Sequence, residues 1–199
     1  YNETNEIGIK PTPVIGGIGL IKDISKMVDM KLKKENSILI IVGKTKGHLD
    51  QSLFSRHVLK NLNGPPPEIN LFNEKNNGHT ILELINEKTI LSSHDISVGG
   101  LLVNLAKMCI LGNLGAKIHR PKSLVQNHEY FFSEDQGRYI IELDKSNLEK
   151  VTKILNKNSV FYEKIGITQK NNLSLDKEFD IKIIELKKYY DNWFNKYID

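Results

Sequence analysis

The sequence predicts an α/β protein of the α+β type, a mixed β-sheet flanked by helices. Three observations predict it. Strand-length apolar runs alternate with segments of helical period. One of those runs, residues 37–42 (SILIIV), is continuously apolar, as a strand covered on both faces requires. No internal repeat or low-complexity linker divides the 199 residues, so one domain with a substantial core is expected.

In chain order, residues 12–20 (TPVIGGIGL) read as a strand with a tight bend or a close backbone approach at Gly16, Gly17 and Gly19. The SILIIV strand follows, then a loop over 43–47. Asp50 and Ser52 are candidate N-caps for a helix carrying Leu53, Phe54, Val58 and Leu62. Gly64 and three prolines end that helix. A long amphipathic helix is expected over 68–87, and a short strand over 89–93 ending at His94. The segment 95–100 (DISVGG) leads into a helix that runs to Leu111. Further strands are expected at 116–119, 138–143 (RYIIEL) and 160–168, with helices at 147–155 and 181–198.

Composition narrows the function classes. Hydrophobic residues make up 39% and charged residues 26% of the chain, ordinary for a globular protein. The net charge of +4 is modest and its lysines are interleaved with Asp and Glu. No basic face with a groove-reading motif stands out, so a nucleic-acid partner is not expected. No apolar run approaches the roughly 18–20 residues that span a bilayer, so no membrane partner is expected either. Residues 1–10 lack the basic-then-apolar order of a signal peptide. The chain also lacks an initiator Met, as a segment of a longer polypeptide would. A lone cysteine, Cys109 in an apolar run, excludes an internal disulfide and multi-cysteine zinc motifs. A reducing, cytoplasmic setting is the expectation.

Three motifs invite a chemical reading. Gly43-Lys44-Thr45 follows an apolar strand, as a phosphate loop does, but the required upstream glycine position is Ile38, in mid-strand. A Walker-type nucleotide site is therefore excluded. His94-Asp95-Ile96-Ser97-Val98-Gly99-Gly100 lies where a strand ends and a helix begins. Carboxyl ends of strands face the ligand crevice in α/β sheets, and helix starts favour anions. Asp95 can bind a metal, orient His94 or cap the helix. The competing reading makes Asp95 or Ser97 only an N-cap and the glycines only packing residues. Glu134-Asp135-Gln136-Gly137-Arg138 precedes the RYIIEL strand and offers carboxylates, an amide and a guanidinium for a sugar or phosphate. The competing reading there is an acidic turn closed by an internal Arg–Glu pair. The other histidines show no metal spacing, and Ser97 lacks the surroundings of a nucleophile elbow. The aromatics Tyr189, Tyr190, Trp193, Phe194 and Tyr197 read as packing residues, in this core or on a neighbouring domain.

Six blocks in register carry a resemblance. They are YNET at 1–4, PTPVIGGIGLIKD at 11–23, IIVGKTKGHLDQS at 40–52, GPPPEINL at 64–71, SSHDISVGGLLVNLAKM at 92–108 and FSEDQGRYI at 132–140. Together they resemble the C-terminal domain of phosphoribosylformylglycinamidine synthases, relatives of aminoimidazole ribonucleotide synthetase. The resemblance implies that superfamily's C-terminal domain fold, with 1–13 leading in from an absent N-terminal nucleotide-binding domain and 14–199 forming one domain. It implies an ATP- and Mg2+-dependent ligase that converts formylglycinamide ribonucleotide and glutamine-derived ammonia to the amidine, in purine biosynthesis.

The expected partners are the N-terminal domains of the same polypeptide, a glutaminase subunit, a small bridging subunit and the ribonucleotide. The family's catalytic histidine lies in domains this chain lacks, so no catalytic residue is expected here. The substrate- or nucleotide-binding candidates are His94, Asp95, Ser97, Gly99, Gly100, Glu134, Gln136 and Arg138. Asp135 stands where the family's first copy of this domain has serine, a departure that suits a degenerate, structural nucleotide site. Two readings therefore stand beside the ligase fragment: a non-catalytic nucleotide-binding or assembly module, and a domain of a related synthetase or kinase.

Overall fold

The computed structural model describes residues 3–9, 13–122, 125–176 and 178–198. A two-stranded ribbon, β1 (Glu3–Thr4) and β2 (Ile7–Gly8), precedes the main body. The main sheet has seven strands: β3 (Ile38–Val42), β4 (Ser92–Asp95), β5 (Gly115–Ile118), β6 (Tyr139–Leu143), β7 (Tyr162–Gln169), β8 (Asn172–Leu175) and β9 (Phe179–Lys182). Their order is β4-β6-β3-β7-β5-β8-β9, antiparallel throughout except for the parallel β5–β8 pair, so the sheet is mixed as expected.

Among the described residues six α-helices accompany it: α1 (Leu53–His57), α2 (Leu71–Asn86), α3 (Gly100–Gly112), α4 (Asn127–Phe132), α5 (Leu148–Lys157) and α6 (Ile183–Ile198). Strand β3 explains the layering. Its side chains alternate between faces. Leu39 and Ile41 join Ile140 and Ile165 under α3, α4 and α6, through Leu101, Leu105, Met108, Tyr130 and Ile183. Ile38, Ile40 and Val42 join Ile141 and Leu143 under α2 and α5, through Ile81, Leu84, Val151 and Leu155. Every residue of β3 is buried, because helices cover the sheet on both sides.

Several expected elements change length for local reasons. Helix α1 is capped by Ser52, whose hydroxyl accepts from the Ser55 amide at 3.1 Å, but it stops at His57. Lys60 then turns left-handed (φ 55°), and the Asn61 amide bonds back to the Ser55 carbonyl. Helix α2 begins three residues late, at Leu71, because Asn70 caps it through the Asn73 amide. Its inner face is Asn77, Thr80, Ile81 and Leu84, leaving Leu71 and Leu82 outside.

The strand expected over 12–20 is corrected. Residues 13–20 pair with no strand, and Thr12 lies outside the described residues. No neighbouring atom lies within 4 Å of a side chain built at Gly16, Gly17 or Gly19. Val14, Ile15, Ile18 and Leu20 are between 91% and 101% exposed. The β pattern of that segment is real, but nothing among the described residues covers it.

Substituting Ile41→Ala, fully buried in the central strand, should lower unfolding stability by about 2–5 kcal/mol in chemical denaturation. Ile18→Ala, wholly exposed, should change it by no more than about 0.5 kcal/mol in the same chain.

Candidate functional site

Strands β4 and β6 pair with Asp95 opposite Tyr139. The loop leaving β4 and the loop entering β6 therefore meet at one end of the sheet. The Ile96 amide donates to the Arg138 carbonyl at 2.8 Å, which extends the pairing into both loops. The loop leaving β3, residues 43–48, joins them. Gly43 (φ 92°) is required there, because a side chain would come within 2.5 Å of the Gly137 carbonyl oxygen. So the three motif segments singled out in the sequence are neighbours in space.

They are neighbours packed on one another rather than walls around a space. Arg138 is 1% exposed. Its Nε donates to the Asp135 carbonyl at 3.1 Å, one terminal nitrogen donates to Thr45 Oγ1 at 3.1 Å, and the other donates to the Ser133 carbonyl at 2.7 Å. The guanidinium is spent on the interior, so the expected pairing with a phosphate is not what it makes. Neither is the alternative direct Arg–Glu pair. Burial pulls its pKa down, and the nearby Asp135 pushes it back up.

Glu134 has a different task. Its Oε1 accepts from the Leu53 amide at 2.9 Å and from the Gly99 amide at 2.8 Å. One carboxylate oxygen thus serves the first turn of α1 and the start of α3, where unpaired amides and the helix dipoles favour negative charge. Asp135, 4% exposed, accepts from three consecutive amides: Lys46 at 2.8 Å, Gly47 at 2.9 Å and His48 at 3.3 Å. Gln136 is exposed, and its amide donates to the Glu134 carbonyl at 3.3 Å.

In the other loop, Gly99 and Gly100 both take left-handed angles (φ 91° and 70°). A side chain on Gly100 would lie 2.6 Å from the Ser133 carbonyl oxygen, so that glycine lets two backbones touch. The N-cap position of α3 is Gly99, and neither Asp95 nor Ser97 caps it. Ser97 is exposed, and its carbonyl accepts from the Gly100 amide at 3.0 Å. His94 Nδ1 lies 3.1 Å from Asp95 Oδ1, with His94 mostly enclosed and Asp95 outside. Burial lowers the His94 pKa, more than the neighbouring Asp95 raises it.

Beside the 43–48 and 134–138 loops lies a cleft of about 40 Å3 lined by Lys44, Lys46, Glu68, Asn70, Asn73, Glu74, Asn77, Asp135, Gln136 and Gly137. That holds a water or two, whereas small-molecule sites run to about 300–1,000 Å3. That cleft is too small for a ribonucleotide. A wider, open concavity of about 830 Å3 lies on the β8–β9 hairpin and includes none of the predicted site residues.

A magnesium–nucleotide group fits no better. Among the described residues no three His, Cys, Asp or Glu side chains are grouped as a metal would need. The Glu134 and Asp135 carboxylates are already committed to backbone amides. Cys109 is buried among core residues, and burial pushes its thiol up to about 12, which leaves it inert.

Sequence reasoning passed over two of the working groups. Asp135 was read as a departure from the family pattern. Glu142, 0% exposed in β6, was not singled out; it accepts from the Lys33 and Lys34 amides and from Ser92 Oγ. A lone charge inside the apolar run RYIIEL was the available signal.

The sequence profile of the AIR synthase related proteins' C-terminal domain matches residues 34–176. The chain belongs to this family. The phosphoribosylformylglycinamidine synthase subunit PurL of Pelagibacter ubique is 54% identical over all 199 residues, which span 27% of that protein. PurL of Thermotoga maritima complexed with FGAR superposes with a TM-score of 0.69 at 18% identity, over 82% of this chain and 30% of that one. The PurLQS structure from the same organism superposes with a TM-score of 0.65, over 80% of this chain and 27% of that one. Against those structures the likeness is one of fold.

Two outcomes test the site as described. Glu134→Ala leaves two helix-start amides without their acceptor and should cost about 1.5–3 kcal/mol of unfolding stability, while Gln136→Ala should stay within about 0.5 kcal/mol. For His94, the folded pKa lies below the unfolded value, so the unfolded chain binds the extra proton. Its contribution is then fully present above about pH 6.5 and is lost as the pH falls through the lowered folded value. A urea titration series from pH 7.5 to pH 5 should show stability falling, with a shallower slope in His94→Gln.

Proposed function

We propose that this chain is the C-terminal domain of a phosphoribosylformylglycinamidine synthase subunit and works there as a structural module. The observation that carries the reading is the 54% identity to a PurL subunit along the whole chain, which spans 27% of that protein. The full enzyme would convert formylglycinamide ribonucleotide, ATP and glutamine-derived ammonia to the amidine, with Mg2+ neutralising the transferring phosphoryl group. That chemistry would sit in the remainder of the polypeptide. This domain's residues hold protein backbone: Glu134 ties α1 to α3, Asp135 holds the 46–48 loop and Arg138 locks both to β6. His94, Asp95, Ser97, Gly99, Gly100 and Gln136 belong in this reading to the same frame.

The partner of first rank is the rest of the same polypeptide. Val14, Ile15, Ile18 and Leu20 are nearly fully exposed, and Tyr190, Trp193, Phe194 and Tyr197 of α6 are 45–80% exposed at helical spacing. Contiguous apolar surface of this kind marks a contact face. Glutaminase and bridging subunits complete the assembly in this reading. A reducing, cytoplasmic compartment suits it; among the described residues no helix is long and apolar enough to cross a membrane.

The deciding experiment compares the isolated chain with the full polypeptide, following ADP release with formylglycinamide ribonucleotide, ammonia and magnesium–ATP. The isolated chain should stay at background and the full polypeptide should turn over. In the full polypeptide, Asp95→Asn and Gln136→Ala should change kcat/KM by less than about threefold. Turnover by the isolated chain, or a larger loss of kcat with unchanged stability, would sink the structural reading.

A further inference from the structure

We propose that the Lys46–Gly47–His48 loop is an oxyanion-binding site whose built-in ligand is the Asp135 carboxylate, and that Asp135 thereby closes it to phosphate groups in solution. Three consecutive amides pointing at one anion form the kind of backbone concavity that binds phosphates and other oxyanions. Here they converge on a side chain that is 4% exposed, at 2.8, 2.9 and 3.3 Å. The loop is shaped for this. Gly47 is left-handed (φ 88°), and a side chain on it would lie 2.6 Å from Val125 Cγ1, so the turn admits only glycine without strain.

The surroundings are those of an anion site. Arg138 stands behind it, 1% exposed and bonded only to neutral oxygens, two carbonyls and the Thr45 hydroxyl. A buried guanidinium needs a compensating charge nearby, and Asp135 is the acid whose field acts on it most strongly. Without Asp135, three amides and a buried cation would face a gap. The gap would not be sealed, because Asp135 itself forms part of the wall of the narrow cleft lined by Lys44, Lys46, Glu68 and Glu74, where Lys46 is paired with Glu68 at 2.9 Å. Truncating Asp135 joins the amides to that cleft and admits an external anion. A tetrahedral phosphate suits three donors better than a two-oxygen carboxylate, whose third contact is already the long one.

This deepens the structural-module reading and rests on it for biological meaning only: Asp135 would be the residue that withdraws this loop from ligand binding. The test is local. Amide hydrogen exchange at Lys46, Gly47 and His48 is followed in the full polypeptide for the unaltered protein, Asp135→Ser and Asp135→Asn, with inorganic phosphate or with chloride at matched ionic strength. In the unaltered protein the three amides should exchange slowly, and phosphate should leave their rates within about twofold. In Asp135→Ser they should exchange about 10–100 times faster, the loss expected when a charged acceptor is removed. Phosphate, and not chloride, should restore protection saturably. Asp135→Asn keeps one acceptor oxygen and should fall between the two.

Rates in Asp135→Ser that ignore phosphate, or respond equally to chloride, would overturn the proposal. So would the same phosphate response in the unaltered protein. If Asp135→Ser does not fold, folding restored by phosphate supports the site, and Asp135→Asn carries the exchange test. Failure of both variants to fold at any phosphate concentration counts against it. None of these readings depends on turnover, so they stand or fall apart from the activity assay.

Discussion

Backbone amides at the ends of this sheet need acceptors, and carboxylates from within the chain supply them. Three acidic side chains answer that requirement. Glu134 serves the starts of α1 and α3, Asp135 serves the 46–48 loop, and Glu142 serves Lys33 and Lys34 while bonding Ser92. Each joins segments far apart in sequence and supplies an acceptor to part-buried amides. Loops normally run over the surface because their polar groups are hard to satisfy inside. Here the loops leaving β3 and β4 are drawn onto the loop entering β6, and the carboxylates make that affordable in polar terms. An unsatisfied donor would cost about 1–3 kcal/mol at each position.

The glycines and Arg138 follow from that arrangement. Once the loops are pulled together, backbone meets backbone at Gly43 against Gly137 and at Gly100 against Phe132 and Ser133. Side chains there would collide, so glycine is the residue that permits the approach. Arg138 then fills the interior between the 45 and 133–135 segments and satisfies two carbonyls that would otherwise be stranded. A residue of that size and charge in the interior brings a desolvation penalty, offset by hydrogen bonds and by the neighbouring Asp135 and Glu134. The mouth of the sheet is a network with its polar groups turned inward. A catalytic mouth needs the opposite, polar groups held ready for a substrate.

Much of the sheet was legible because its signals are periodic and local. The runs SILIIV and RYIIEL became the interior strands β3 and β6, and α3 runs from Gly100 to Gly112, close to where its apolar pattern placed it. Helix α4 and strands β8 and β9 were missed, being only six, four and four residues long with no full period to detect. The segment 13–20 misled in the other direction: β-branched residues mark a strand only where a partner strand exists. The motif loops meet in space, but their chemistry could not be read from residue type. Arg138, Glu134 and Asp135 are equally suited to a phosphate, a sugar or a peptide amide. Which of these each one meets is decided by burial, and burial of a loop is set by contacts across the whole chain.

The same contrast locates what this domain offers to other molecules. At the sheet's mouth most donors and acceptors are matched within the chain, His94 Nε2 and Ser133 Oγ being buried exceptions, and the cleft lined by Lys44, Lys46 and Gln136 holds no more than a water or two. On the outside the position reverses. Side chains such as Val14, Ile18 and Leu20, and the aromatic stripe of Tyr190, Trp193, Phe194 and Tyr197, lie open to solvent although burial of each would be favourable. Trp193 packs edge-on against Phe194 with ring centres 5.5 Å apart, so part of the stripe is ordered before anything covers it. Unsatisfied free energy in this chain therefore sits on its surface as apolar area. The acidic residues Glu134, Asp135 and Glu142 act on the chain's own backbone, as internal struts between its loops.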